Sequence, residues 1–530
     1  KLPTLFSSPA WTVQPEIPQF DNLRGYMVSL RAAEGVISSQ LPPTADTTPR
    51  ENAVTTDPNE IFWDGDDDQS NPKNWSVVRR WSHIVIISLL TLTTYMPISI
   101  VPASTPAVPE VMKSLHSDNS ELESFVVSIY VIGYAVAPLL VAPLSELYGR
   151  AIVYNVSNVI FLGGTIGCAL STNVGMFLAF RLLCGCAGAS PLALGGGSIS
   201  DMMEPERMGT ALAIWGLGSL APPVFSPIAG GYISQAVGWR WIFWVIAILM
   251  GILTVASPFL VQESYAPVLL ERKAKRLRKE TGNHRLKSRI GRQLSQKSLV
   301  VDTLIRPPRI LFTSPIVIII AVDTAIVYGY QYLVFTTLSY IFQDQYHLST
   351  GLSGLVYLGN GIGTVLGIFI IGYASDKVTE RRKAKASNPE EILPPEGWLW
   401  PMLPSSFLIP AGLFWYGWSL QRNAFPIVPL VGLGVFGFAM MGIFQPVQIY
   451  VVTAFEKHAA SAMAATTVLR NLVGALLPLG GQRIYDTLGM GWGNSLLAFI
   501  SLALVPIPFL MIRYGERLRR RDPNLIMFVK

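Results

Sequence analysis

Twelve long apolar stretches limit what this chain can fold into more than any other feature. They lie near residues 83–105, 124–144, 151–171, 174–199, 208–236 and 239–261, then near 314–342, 350–374, 399–420, 425–454, 459–485 and 492–513. Each is about 18 to 28 residues long with few charges, and about 20 apolar residues cross the hydrocarbon of a bilayer. In that medium the backbone must satisfy its own hydrogen bonds, which within a single segment means an α-helix. The whole-chain balance agrees: of 530 residues, 50% are hydrophobic and 14% charged, where a soluble protein carries about a quarter charged residues. The expected fold class is all-α, a polytopic membrane protein with twelve transmembrane helices.

The net charge of +6 invites a nucleic-acid partner, but the positions of the basic residues argue against one. Arg79 and Arg80 precede the first stretch, and Arg150 lies between the second and third. A dense run from Arg272 to Arg309 separates the sixth and seventh, Lys377 to Lys385 follows the eighth, and Arg513 to Arg521 follows the last. The other loops are nearly free of Lys and Arg. This alternation predicts an integral membrane protein with basic loops and both termini in the cytoplasm. It also favours contact with membrane lipid headgroups over nucleic acid. The plasma membrane is the expected location, with the vacuolar membrane as the alternative.

The same pattern divides the chain into a cytoplasmic tail over 1–78, a six-helix bundle over 79–262, a basic central loop over 263–312, a second bundle over 313–514 and a basic tail over 515–530. Residues 1–70 are polar and aperiodic, which predicts disorder. Trp75 and Trp81 are expected at the headgroup level as interface anchors. No cleavable signal peptide is expected, because the first apolar run begins only after about 80 residues. The stretch from Ala266 to Arg276 reads as a basic amphipathic helix lying along the membrane surface. Cys168, Cys184 and Cys186 fall inside the third and fourth stretches, where small apolar packing is their expected role.

A short loop signature occurs twice. Ser145-Glu146-Leu147-Tyr148-Gly149-Arg150 follows the second stretch, and Ser375-Asp376-Lys377 with Arg381 and Arg382 follows the eighth. Each copy sets an acid and a basic group on a tight connection, and the repeat implies two pseudo-symmetric six-helix bundles. The doubled motif resembles the signature of the major facilitator superfamily. Asn71-Pro72-Lys73-Asn74-Trp75 before the first stretch and Glu263-Ser264-Tyr265-Ala266-Pro267 after the sixth are similar to its fungal multidrug:proton antiporters. The resemblance covers about residues 60 to 520 and implies efflux of drugs, toxins or fungal secondary metabolites.

The resemblance also implies site residues. Glu146, Gly149, Arg150 and Asp201 match a charge network that latches the inward-facing helix ends, although Ala142 and Ala151 stand where a glycine and a base are usual. Asp376, Lys377 and Arg381 match in the second half, but Thr453 stands where an acid is expected, with Glu456 one turn further on. The fifth stretch holds Pro222-Pro223-Val224-Phe225-Ser226-Pro227-Ile228-Ala229-Gly230-Gly231, similar to the antiporter motif, so Pro223, Pro227, Gly230 and Gly231 are assigned to gating. Clustered Pro and Gly bend a helix and admit a close neighbour. The expected neighbour is the eighth stretch, through Gly359, Gly363 and Gly367 at four-residue spacing. Arg181 begins Arg181-Leu182-Leu183-Cys184-Gly185, which resembles a motif linked to proton transfer; binding to backbone carbonyls is the alternative reading.

Polar groups inside the membrane are costly and point to function. Asp323 lies nine residues into the seventh stretch, about 13 Å deep at about 1.5 Å per residue. A partly desolvated carboxyl group is what proton coupling requires, and a buried structural partner is the alternative. Arg470 and Asn471 sit near the middle of the eleventh stretch, where Arg470 either attracts an anionic substrate or pairs with Asp323. Tyr328, Tyr330, Gln331, Tyr332, Asn360, Gln445 and Gln448 complete the expected cavity, since aromatic walls with a few amides suit bulky organic molecules.

Gly432-Leu433-Gly434-Val435-Phe436-Gly437 fits a dinucleotide fingerprint, but it lies within an apolar helix with no preceding strand, so it reads as helix packing. No Gly-Lys-Ser/Thr phosphate loop exists, and the five histidines lack metal-ligand spacing. The reading is a monomeric, cofactor-free transporter rather than an enzyme, exchanging a moderately hydrophobic organic substrate for protons. Its rivals are transport of a small carboxylate or polyamine on the same fold, and a transport-dead receptor or scaffold.

Overall fold

A computed structural model describes residues 59–65, 67–103, 115, 120–288, 296–383, 395–455 and 459–522. The first six spans are Val77–Ala103, Ser120–Tyr148, Arg150–Leu170, Val174–Gly188 continued by Ser190–Met202, Pro205–Leu220 continued by Pro222–Val237, and Arg240–Leu260. The seventh to tenth are Pro315–Tyr346, Thr350–Leu355 continued by Tyr357–Lys383, Met402–Gln421 and Ile427–Ala454. Ala459–Leu504 and Pro506–Arg521 carry the last two, because Gly489 at φ 75° breaks the longer helix. Among the described residues, ten segments are long and apolar enough to cross a membrane, and one of them, Ser461–Arg521, holds both the eleventh and the twelfth span. The ninth span falls outside that count because Ser405, Ser406, Trp415, Tyr416, Trp418 and Ser419 dilute its 20 residues. Polar caps start several spans: the side chains of Asn173, Ser314 and Ser349 accept from the N–H groups of Met176, Val317 and Leu352, satisfying donors the helix leaves open.

Each half has its own apolar core. Tyr130, Tyr154, Phe161, Phe177 and Phe243 anchor the first, while Leu333, Leu413, Phe436 and Tyr450 anchor the second. Outward faces carry exposed Val159, Phe259, Phe369 and Phe499, which suits a lipid solvent. Between the halves, the second span meets the Ala459–Leu504 segment, the fifth meets the eighth, and the first meets the seventh. Tyr332 and Ala475 from the second half belong to the core of the first.

The fifth and eighth spans do pack together, through Gly231 on the fifth but not through the glycines expected on the eighth. A Cβ on Gly231 would lie 2.7 Å from the Thr350 carbonyl oxygen, and one on Gly354 would lie 2.6 Å from that of Pro227. The Gly351 N–H donates to Gln235 Oε1 at 2.8 Å across the same contact. Gly359, Gly363 and Gly367 instead face Leu430, Gly434 and Phe438 of the tenth span. Four-residue spacing keeps them on one helix face, and that face points into their own bundle.

The described parts of residues 59–76 and of the central loop form a folded cap on the face that carries the basic loops. Glu60–Ile61 pairs in parallel with Lys287–Ser288, and the helix Ala266–Thr281 buries Leu270 and Ala274. Lys273 Nζ reaches Asp64 at 2.6 Å, Asp68 at 3.6 Å and the Phe62 carbonyl at 3.1 Å. The expectation of disorder thus fails for the described part of 59–70, because Lys273 gives that acidic run a half-buried counter-charge; residues 1–58 lie outside the described residues. Trp75 is likewise no surface anchor: at 4% exposure it stacks on His83 under the Arg79 guanidinium. It packs with Ile84, Ile199, Met202 and Ala211 where the first, fourth and fifth spans meet.

Candidate functional site

Two groups of polar residues stand out. One lies on the basic face of the first half, where the third span opens with Arg150. Arg150 Nε donates to Asp201 Oδ2 at 2.6 Å, and its backbone N–H donates to Glu263 Oε1 at 3.0 Å. The Tyr265 N–H donates to the same Glu263 oxygen at 3.0 Å, and the Arg150 guanidinium sits 5.2 Å over the Tyr265 ring. Gly149 has φ 103°, and a Cβ there would lie 1.9 Å from Glu263 Oε2. Only glycine tolerates that backbone so near another group. The network therefore binds the third span, the end of the fourth and the segment after the sixth, all within one half. Glu146 is half-buried on the last turn of the second span. Glu263 supplies the second carboxylate; it sat in a motif noticed for its resemblance, yet nothing in its spacing predicted contact with Arg150.

The second half reverses the signs. Glu396, just before the ninth span, takes a forked pair of hydrogen bonds from Arg519, on the helix that ends the twelfth, at 3.1 and 3.3 Å. Ser314, which caps the seventh span, donates to Asp522. An acid precedes the ninth span where a base opens the third, and a base follows the twelfth where an acid follows the sixth. Sequence reading centred this half on the repeated loop signature instead. Lys377 is exposed and, among the described residues, donates to the Tyr373 hydroxyl at 3.4 Å and lies over its ring, and Thr453 bonds back to the carbonyls of Ile449 and Tyr450. Asp376 and Arg381 lie on the helix Tyr357–Lys383, with side chains outside the described part, and Glu456 is outside the described residues.

The other group is the aromatic cluster between the halves. Tyr328 and Tyr332, one turn apart on the seventh span, have ring centroids 4.9 Å apart and hydroxyls at 3.3 Å. Phe444 of the tenth span meets Tyr328 at 5.8 Å. The Arg470 guanidinium lies 4.7 Å over Tyr328 and 5.7 Å over Phe444. Tyr95 of the first span interacts electrostatically with both Tyr328 and Arg470, and its ring meets Tyr134 at 5.4 Å. Tyr95, Tyr328 and Arg470 each keep part of their surface accessible. Arg470 Nε, Gln445 Oε1 and the Tyr134 hydroxyl are buried without a hydrogen-bond partner among the described residues.

Other sequence candidates lie elsewhere. Tyr330, two residues from Tyr328 and so near the opposite side of the helix, donates to the Leu497 carbonyl of the twelfth span at 3.1 Å. Asp323 and Gln331 are 3% and 4% exposed, with Asp323 Oδ2 and Gln331 Oε1 unpartnered among the described residues. Among the described residues, Asp323 and Arg470 form no ion pair with each other. Asn360 borders Gly437 of the tenth span, Asn471 is buried, and Gln448 is exposed. Arg181, 1% exposed, donates to the carbonyls of Val126 at 3.2 Å and Pro97 at 3.4 Å and lies 4.8 Å over Tyr130. Pro227, Gly230 and Gly231 are buried and Pro223 is half-buried, and Ser226 meets Ser99 of the first span at 2.5 Å. Sequence reading missed Tyr95, Tyr134 and Phe444, because aromatics in an apolar helix carry no local sign of facing another bundle. A separate cavity of about 540 Å³ opens beside Asp201, lined also by Phe62, Trp63, Asn71, Lys73 and Ala266. It is remote from the aromatic cluster. Among the described residues, no three His, Cys, Asp or Glu side chains converge as metal ligands.

Two six-helix bundles meeting around a polar, aromatic centre define an integral membrane transporter, not an enzyme. The Major Facilitator Superfamily profile matches residues 87–478, and the chain belongs to that family. It is 46% identical over 473 residues to the MFS-type transporter tndD of Aspergillus flavipes, spanning 89% of this chain and 87% of the relative. It is 42% identical over 508 residues to the efflux pump radE of Floropilus chiversii, spanning 95% and 92%. The fold is similar to that of a D-xylose-proton symporter crystal structure, with a TM-score of 0.56 and 16% identity over 81% of this chain and 98% of that one.

Proposed function

We propose that the protein exports moderately hydrophobic organic compounds, of the drug, toxin or fungal secondary-metabolite kind, in exchange for protons. The observation that carries the reading is the cluster of Tyr95, Tyr328, Tyr332, Phe444 and Arg470 between the halves, with its partly accessible surfaces and unused polar atoms. Aromatic walls with a few polar groups suit a bulky organic ligand. Kinship with a relative named an efflux pump supports export over uptake. Transport follows if the halves rock about this cluster, exposing it to one side and then the other. The packing of Gly231 and Gly354 across the halves supports a closed contact that must part in that cycle.

Asp323 is the candidate proton carrier, because a buried ionisable group within a span marks function by default. Arg181 holds the ends of three spans through backbone carbonyls, so its link to proton transfer is indirect. The basic face is assigned to the cytoplasm on its charge, in the plasma or vacuolar membrane, and the transporter is assigned as a monomer in contact with lipid. Labelled candidate compounds in proteoliposomes, with and without a pH gradient, test the reading. Gradient-driven flux in wild-type protein and its loss in a folded Asp323→Asn variant are expected. Unchanged flux in that variant removes Asp323 from the mechanism.

A further inference from the structure

The geometry points to an ionised organic acid as the substrate class: a carboxylate or acidic enol on an apolar, unsaturated body, held by Arg470 among the rings of Tyr328, Tyr332 and Phe444. This rests on the aromatic cluster being the substrate site. A guanidinium carries five N–H donors in a planar fork that matches carboxylate geometry. None of the five makes a hydrogen bond or ion pair among the described residues, Nε is buried, and the group lies over the rings of Tyr328 and Phe444. A cation left so within a membrane protein is costly unless it meets an anion or water. Among the described residues, no carboxylate pairs with Arg470. Asp323, on the neighbouring span, is 3% exposed and forms no pair with Arg470. The sign of the field at the cluster is therefore positive, which repels a polyamine or any other cation.

The rings define the rest of the ligand. Tyr328 and Phe444 already stack against the guanidinium, which leaves its edge, where the N–H groups point, for a planar acceptor. Tyr95 and Tyr134 close the cluster from the first half, so an acid bound at Arg470 contacts both halves through its body. Neutral acceptors such as esters fit the rings equally well but forgo the charge-assisted bond. That difference separates the classes experimentally.

The test uses purified wild-type protein in nanodiscs and two matched sets of probes: 1-naphthoate, its methyl ester and 1-naphthylmethylamine, and the same three functions on pyrene. Binding is read by calorimetry. The acids are expected to bind about tenfold to a hundredfold more tightly than their esters, the range of a charge-assisted hydrogen bond. The amines are expected to bind more weakly than either. Arg470→Gln should erase the acid-over-ester ratio, and Arg470→Lys should retain part of it, because charge survives without the fork. Equal binding of acids and esters by the wild-type protein, or preference for the amines, overturns the inference while leaving the site standing. Failure of all six probes to bind counts against the cluster as a substrate site, and the inference falls with it.

Discussion

At Gly149 a single hydrogen atom in place of a side chain decides whether the Arg150–Asp201–Glu263 network can form. Its φ of 103° and ψ of 154° lie in a region essentially reserved for glycine, where another residue costs about 1–3 kcal/mol. Gly149→Ala should lower the melting temperature of the detergent-purified protein clearly below that of Gly196→Ala, where a Cβ meets nothing within 4 Å. Equal melting of the two variants would contradict the Glu263 contact. The Arg150–Asp201 pair, with side chains 14% and 18% exposed, is shielded enough to matter. Asp201→Asn removes a charge-assisted bond and should cost about 1.5–3 kcal/mol in denaturant titration. No measurable loss would show that the pair is an idle surface contact. The acid and the arginine were legible in the sequence. Glu263 as their companion was not, because it lies 113 residues from Arg150 and only the folded bundle joins them.

Helices and segments carry the next level of the account. Gly363→Val pushes a side chain into the Gly434 carbonyl within one bundle, whereas Gly354→Val pushes one into the Pro227 carbonyl between bundles. The first should reduce the yield of monodisperse protein in gel filtration. The second should leave the yield high and change only turnover in vesicles. A reversed pattern would contradict the assignment of the two glycine faces. Sequence spacing singled out Gly363 as a packing glycine but assigned its face to the wrong neighbour, and it did not single out Gly354, since every face of an apolar helix looks alike. The folded cap has its own pH signature. The Asp64 N–H donating to Asp68, helped by the Ser70 N–H and the charge of Lys273, outweighs burial and draws the Asp68 carboxyl down to about 2. A depressed folded value means that this stabilisation is complete above the unfolded value near 3.8 and is lost as pH falls toward 2. Amide exchange across 59–76, taken relative to the intrinsic rate at each pH, should therefore be unchanged from neutral pH to about 5 and accelerate below 4. In Lys273→Ala it should be faster throughout. Exchange indifferent to both changes would dissolve the cap.

For the molecule as a whole, the twelve apolar stretches and alternating charges made the two-bundle architecture readable before any coordinates. Of the places where the bundles touch, the meeting of the fifth and eighth spans was readable, whereas the aromatic contacts were not, since Tyr95 and Phe444 gain meaning only when opposite halves face each other. The claim that joins these scales is that a proton gradient moves an organic substrate through the central cluster. Proteoliposomes filled at acidic pH and diluted into neutral buffer offer that gradient and no other energy source. The measurement is accumulation of the tightest-binding naphthalene probe relative to protein-free liposomes. The account predicts accumulation above that control, its collapse on adding a protonophore, and its absence with Asp323→Asn. Accumulation that persists with the protonophore, or none above the protein-free control, would contradict it.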